Sequence, residues 1–167
     1  MSASIHRLTG VALGATFAVA LAATASAQLI PRKDLSASMG ATIVQTAVET
    51  CKAKGYNVSA VVVDRAGETL ASLRGDNTGP HTLENARRKA YTARTFRMPT
   101  EEFVKLMETQ PVRRQQITLP HVIAIGGGVP IKVGDEVIGG AGVSGAPGGQ
   151  DEPCVQAGID KVKHHLQ

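Results

Sequence analysis

Residues 58–74 read VSAVVVDRAGETLASLR. Val58 to Asp64 is a short β-rich run, Thr69 to Arg74 is a second, and Arg65-Ala66-Gly67-Glu68 lies between them. Branching at Cβ restricts χ1 and favours extended backbone, and two such runs joined by a glycine-containing turn predict a β-hairpin. A lone hairpin is marginal in water, so the flanking segments must supply what covers it.

Upstream, Asp34 is placed to cap a helix from Leu35 to Lys54. Leu35, Met39, Ile43, Ala47 and Cys51 recur every fourth residue as a one-sided apolar stripe, and Gly55-Tyr56-Asn57 ends it. Downstream, Gly75 to Pro80 is a loop by composition, and a second helix is predicted from Thr82 to Phe96 with Leu83, Ala86, Ala90 and Ala93 on one side. A third opens at Pro99-Thr100, with Thr100 as N-cap and Glu101-Glu102 at the positive end of its dipole, and stops before Pro111. Val122 to Ile125 reads as a strand that Gly126-Gly127-Gly128 bends into Val129–Val133. Gly134-Asp135-Glu136 then turns the chain into Val137–Val143, and Gly145–Gly149 is a loop. Asp151 caps a last helix lined by Val155, Ile159, Val162 and Leu166. The order is helix, two strands, two helices, about three strands, helix. That predicts one α+β domain with a roughly five-stranded, largely antiparallel sheet flanked by helices.

The first 27 residues carry His6 and Arg7, then an uncharged stretch containing Val11, Leu13, Phe17, Val19 and Leu21, and end Ala25-Ser26-Ala27. This is the pattern of a cleaved export signal, with the cut before Gln28. The run is shorter and poorer in large apolar residues than a membrane span requires. The expectation is therefore a leader, 1–27, and a working domain, 28–167, in the periplasm or outside the cell, with no membrane insertion. That domain has 17 basic and 14 acidic residues, a charge of +3. With two Tyr and three Phe in the whole chain, aromatic residues do not interleave with basic ones, which argues against nucleic-acid binding. Cys51 and Cys154 can pair in an oxidising compartment or remain separate buried thiols.

Gly140-Ala-Gly142-Val-Ser-Gly145 fits G-x-G-x-x-G in letters. A dinucleotide site also needs a second parallel strand with an acid about 20 residues on, and only 22 residues follow Gly145. Close backbone approach is the better reading of these glycines. Gly142-Val-Ser144-Gly-Ala146 lacks the final glycine of a nucleophile elbow, so no catalytic residue is assigned. Four histidines lie beyond the leader. His164 and His165 read as a solvated helix end. His81 and His121 are candidate ligands for a metal or haem iron, or else loop and capping residues. His81, Glu84 and Arg88, spaced by helical turns, can share one face and hold an anionic ligand, or form an ordinary ion-paired surface.

Val61-Val-Val-Asp64-Arg-Ala-Gly67, Leu73-Arg74-Gly75-Asp76, Arg88-Lys89-Ala90-Tyr-Thr92-Ala93, Gly127-Gly128-Val129-Pro130-Ile131, Gly140-Ala-Gly142-Val143-Ser144-Gly145 and Asp151-Glu152 form an ordered set. Together they resemble the GlcG/HbpS family of haem-binding-like proteins, over about residues 31–165. The resemblance implies a profilin-like five-stranded sheet and a homo-oligomer, often an octamer. It also implies a relation to the domain fused to PduO-type corrinoid adenosyltransferases. Some members bind haem; others lie near glycolate-oxidation genes. The implied cofactor is haem or a related tetrapyrrole. The family has no uniform ligand set, so the site residues come from this chain's own pattern, His81 or His121 as candidate axial ligand with Glu84, Arg88, Gly127 and Gly128 around it. Some haem-binding relatives carry Glu-x-x-Glu on the second helix as an iron motif. Here the stretch reads Glu84-Asn-Ala-Arg87, and Arg87 or Arg88 can instead meet a propionate. The first functional reading is a non-catalytic binder, with a membrane sensor protein as a possible partner. The second is a small enzyme or accessory protein for a hydroxy or oxo acid such as glycolate, its carboxylate held by the Gly126–Gly128 and Gly140–Gly149 loops.

Overall fold

The predicted hairpin forms from β1 (Ser59–Val63) and β2 (Thr69–Arg74), paired antiparallel with Val61 opposite Ser72 and an irregularity between Val62 and Val63. The computed structural model describes residues 28–167, of which residues 32–167 form one compact unit. The expected leader, 1–27, lies outside the described residues. β1 also pairs with β4 (Glu136–Ser144), which pairs with β3 (Gly128–Val133), giving a wholly antiparallel sheet in the order β2-β1-β4-β3. Pro130 occupies the outer strand β3, where a residue without an N–H is tolerated.

The sheet has four strands among the described residues, not five. Val122 to Ile125 does not join it, because α2 side chains take up its backbone. Arg88 Nη2 donates to the Val122 carbonyl at 2.6 Å, and the Thr92 hydroxyl accepts from the Ile123 N–H at 2.9 Å. Val122 itself is buried with Phe103 and Met107 in a small separate cluster.

Among the described residues, four α-helices surround the sheet: α1 (Ala37–Ala53), α2 (Thr82–Phe96), α3 (Thr100–Thr109) and α4 (Asp151–Lys161), with a short 3-10 segment at Pro111–Thr118. β1 is buried along its whole length and its residues serve two cores. Ala60 and Val62 pack with Ile43, Ala47, Val155 and Ile159 of α1 and α4, whereas Val61 and Val63 pack with Ala86 and Ala90 of α2. Alternation along a strand places successive side chains on opposite faces, so Ala60–Val63 is apolar throughout. Gly140 and Gly142 of β4 explain the glycine pattern. A Cβ on them would lie 2.3 Å from the Ala90 carbonyl oxygen and 2.2 Å from that of Ala86, so α2 rests directly on the strand.

Helix starts depart from the sequence reading. Ser36, not Asp34, caps α1, its hydroxyl accepting from the Met39 N–H at 3.2 Å, while Asp34 pairs with Arg65 at 2.9 Å. Pro99, not Thr100, is the N-cap of α3, and the Thr100 hydroxyl accepts from the Gly128 N–H at 2.8 Å. Gln150 precedes α4, freeing the Asp151 carboxylate for other partners. Cys51 and Cys154, both fully buried, form a disulfide joining α1 to α4 across 103 residues of sequence.

Candidate functional site

α2 covers β4 and β1, while β2 at the sheet edge is largely exposed. Between them lies a hollow of about 300 Å³. Val61, Pro80 and Leu83 give its apolar lining, Thr69 and Ser72 contribute from β2, and Glu84 and Arg87 are its charged members.

Glu84 and Arg87, one turn apart on α2, form a two-point pair, with Nε to Oε2 at 2.9 Å and Nη2 to Oε1 at 2.8 Å. Arg87's hydrogen bonds hold the Glu84 carboxyl below its ordinary range, outweighing the opposite effect of partial burial. Arg87 Nη2 also lies 2.7 Å from Nδ1 of His121. His121 has φ 67°, the left-handed region that few side chains adopt, and its ring meets Tyr91 edge-on at a centroid distance of 5.5 Å. Tyr91 in turn lies under the β1–β2 turn, where a Cβ on Gly67 would come within 2.8 Å of its ring.

The expected His81, Glu84 and Arg88 face therefore divides. His81 stands exposed at the start of α2, makes no capping bond, and packs on Gly79, where a Cβ would lie 2.9 Å from its Cε1. Arg88 turns to the Val122 carbonyl. His121, 34 residues from Arg87 in sequence, joins the cluster instead. Gly127 and Gly128 are buried against the protein's own atoms: Cβ positions there would lie 2.6 Å from Asp151 Cβ and 2.3 Å from the Lys89 carbonyl oxygen. Their turn is filled by α2 and α4.

Sequence reasoning missed the buried ion pair beneath that turn. Lys89 is 2% and Asp151 6% exposed. Lys89 Nζ donates to Asp151 Oδ2 at 2.7 Å and to the Val143 carbonyl at 3.0 Å, and Asp151 Oδ1 accepts from the Ala146 N–H at 2.9 Å. The signal was present: Lys89 falls on the same side of α2 as Ala86, Ala90 and Ala93, where an unpaired charge would be costly. A second hollow, of about 460 Å³, is lined by Glu101, Gly149, Glu152, Pro153 and Gln156. Burial first, then the nearby Glu101 and Glu102, push the Glu152 carboxyl upward, and its buried Oε2 has no hydrogen-bond partner among the described residues. Among the described residues, no three His, Cys, Asp or Glu side chains gather to hold a metal ion, and no helix is long and apolar enough to cross a membrane.

One antiparallel sheet between helical layers, with a partly apolar hollow beside its edge strand, defines a small α+β domain. The chain belongs to the HbpS-like family, whose model, described as haem degrading protein HbpS-like, matches residues 35–160. Protein GlcG of Escherichia coli is 32% identical over 110 residues, 66% of this chain and 81% of that protein. The crystal structure of a double glutamate-to-aspartate variant of Streptomyces reticuli HbpS superposes with a TM-score of 0.77 at 34% identity, covering 87% of this chain and 98% of that one. A PduOC–haem complex superposes with a TM-score of 0.64 at 24% identity, covering 71% and 88% respectively, a likeness of fold alone.

Proposed function

We propose that this protein binds haem or a related tetrapyrrole outside the cytoplasm, for sequestration or sensing. The observation that carries the reading is Arg87, fixed by Glu84 beside an apolar hollow, in a chain of the HbpS-like family. The residues fit the edge of such a ligand. Val61, Pro80 and Leu83 offer apolar contact to a macrocycle, and Arg87 offers N–H donors to a propionate. A hollow of about 300 Å³ is at the small end for organic ligands, so an apposed copy of the chain would complete the enclosure. Assembly into a homo-oligomer, an octamer by family likeness, and contact with a membrane sensor belong to the same proposal. His81, exposed beside the hollow's Pro80, would hold the iron through its imidazole. Bound haem would supply an iron centre able to accept an imidazole and exchange electrons.

Titration of the purified protein with haemin tests this. A shifted Soret band that weakens in His81→Ala is expected; a wild type that leaves the haemin spectrum unchanged overturns the reading. The alternative, a hydroxy or oxo acid as ligand, is addressed by native mass spectrometry of freshly purified protein. Recovery of an organic acid and no porphyrin would favour it.

A further inference from the structure

We propose that Arg87 selects the anionic group of the ligand, and that His121 is its positioning residue and not an iron ligand. The inference rests on the tetrapyrrole reading for the ligand's identity, but the role of His121 follows from the cluster itself.

A guanidinium has only donors, so at 2.7 Å from Arg87 Nη2 the Nδ1 atom of His121 must accept. A neutral imidazole has one lone pair. If Nδ1 uses it on Arg87, the proton sits on Nε2, and no nitrogen has electrons left for a metal. Metal-bound histidines have the opposite arrangement: the second nitrogen donates its N–H to a carboxylate, carbonyl or water. Here that nitrogen would face a cation. The ring is also held from other directions, by Tyr91 edge-on at 5.5 Å and by a backbone fixed at φ 67°.

Arg87 is correspondingly immobilised. Nε and Nη2 are committed to Glu84 and His121, while Nη1 has no hydrogen-bond partner among the described residues. The side chain keeps 25% of its surface exposed and lines the hollow. A fixed guanidinium edge beside an apolar wall fits a carboxylate carried on a flat apolar body, and it discriminates by direction as well as by charge. Glu84 already balances the charge of Arg87, so a free inorganic anion gains little there, and the apolar contact must accompany the carboxylate.

Three measurements on the full-length protein test this. In the ligand-free state, nitrogen-15 correlation spectra of the histidine side chains should show His121 with its proton on Nε2, and a mixture of tautomers in Arg87→Ala. A proton on Nδ1 in the wild type overturns the positioning role. Second, His121→Asn keeps a hydrogen-bond acceptor and tolerates the left-handed backbone, but supplies no imidazole. It should bind haemin within about threefold of wild type with an unchanged Soret maximum, whereas His121→Ala and Arg87→Ala should each bind about tenfold more weakly, the worth of one charge-assisted contact. Their double variant should be no weaker than Arg87→Ala alone. A changed Soret maximum in His121→Asn overturns the proposal by making His121 a ligand. Third, metal-free protoporphyrin should bind at least about tenfold more tightly than its dimethyl ester, with the difference vanishing in Arg87→Ala. Equal binding of acid and ester overturns the anion role while leaving tetrapyrrole binding intact. A wild type that binds neither porphyrin nor haemin overturns both the tetrapyrrole reading and the ligand assigned to Arg87, with the tautomer still deciding His121.

Discussion

Replacing Cys51 and Cys154 together by alanine removes the covalent link between α1 and α4 without altering any charge. The link spans 103 residues of sequence, and its main effect is to exclude extended conformations from the unfolded chain. The chain-entropy relation for a loop of that length gives about 4.7 kcal/mol at 25 °C. Domains are typically stable by only about 5–15 kcal/mol, so this is a large share of the total. For a chain of this size, about 3 °C of melting temperature per kcal/mol turns that figure into a fall of about 14 °C. The assay is urea unfolding of oxidised wild type, reduced wild type and the double variant, each followed by circular dichroism. Reduced wild type and double variant should fall together, because both lack the link, and each single variant should join them. Loss of less than about 1 kcal/mol on reduction would refute the argument, since the denatured chain would then not be limited by this cross-link.

The buried pair gives a second test: Lys89→Met or Asp151→Leu alone should cost about 3–5 kcal/mol by stranding the other charge, and the double replacement should cost less than either. Denaturant midpoints of the three variants decide it, and a strictly additive double variant would contradict the pairing. For Glu152 the sign follows from an upward shift. The folded state holds the proton more tightly than the unfolded state, so stability attached to this group is full below the ordinary value of 4.5 and falls as pH rises through the raised folded value. Glu152→Gln should therefore raise the urea midpoint at pH 8 and leave it nearly unchanged at pH 4; equal effects at both would remove the basis for the assignment.

The hairpin and α2 were legible because both are local. β-branched runs about a glycine turn, and an alanine stripe from Thr82 to Phe96 after a loop, need no knowledge of distant residues. Val122–Ile125 was misread for the same reason. Its composition is that of a strand, but Arg88 and Thr92, about 30 residues away, supply its hydrogen bonds in place of a neighbouring strand. The glycines of β4 could be identified as close-approach positions, although only the fold names α2 as what approaches. At the candidate site, the sequence offered His81, Glu84 and Arg88 through helical spacing. Spacing cannot reveal that Arg88 turns to a carbonyl while His121 arrives from a loop to meet Arg87. Glycines 127 and 128 were plausible ligand contacts by composition; the atoms of Lys89 and Asp151 occupy that space.

The two margins of the sheet are chemically unequal. β3 carries Pro130, which brings no N–H for a further strand, whereas β2 is an exposed edge without such a block. β2 is therefore the less obstructed margin for strand pairing between copies. Two β2 edges set against each other would form a twofold pair that is complete with two chains. Pairing through that margin alone gives a closed pair, whereas an open-ended fibre of paired strands would also need addition at β3.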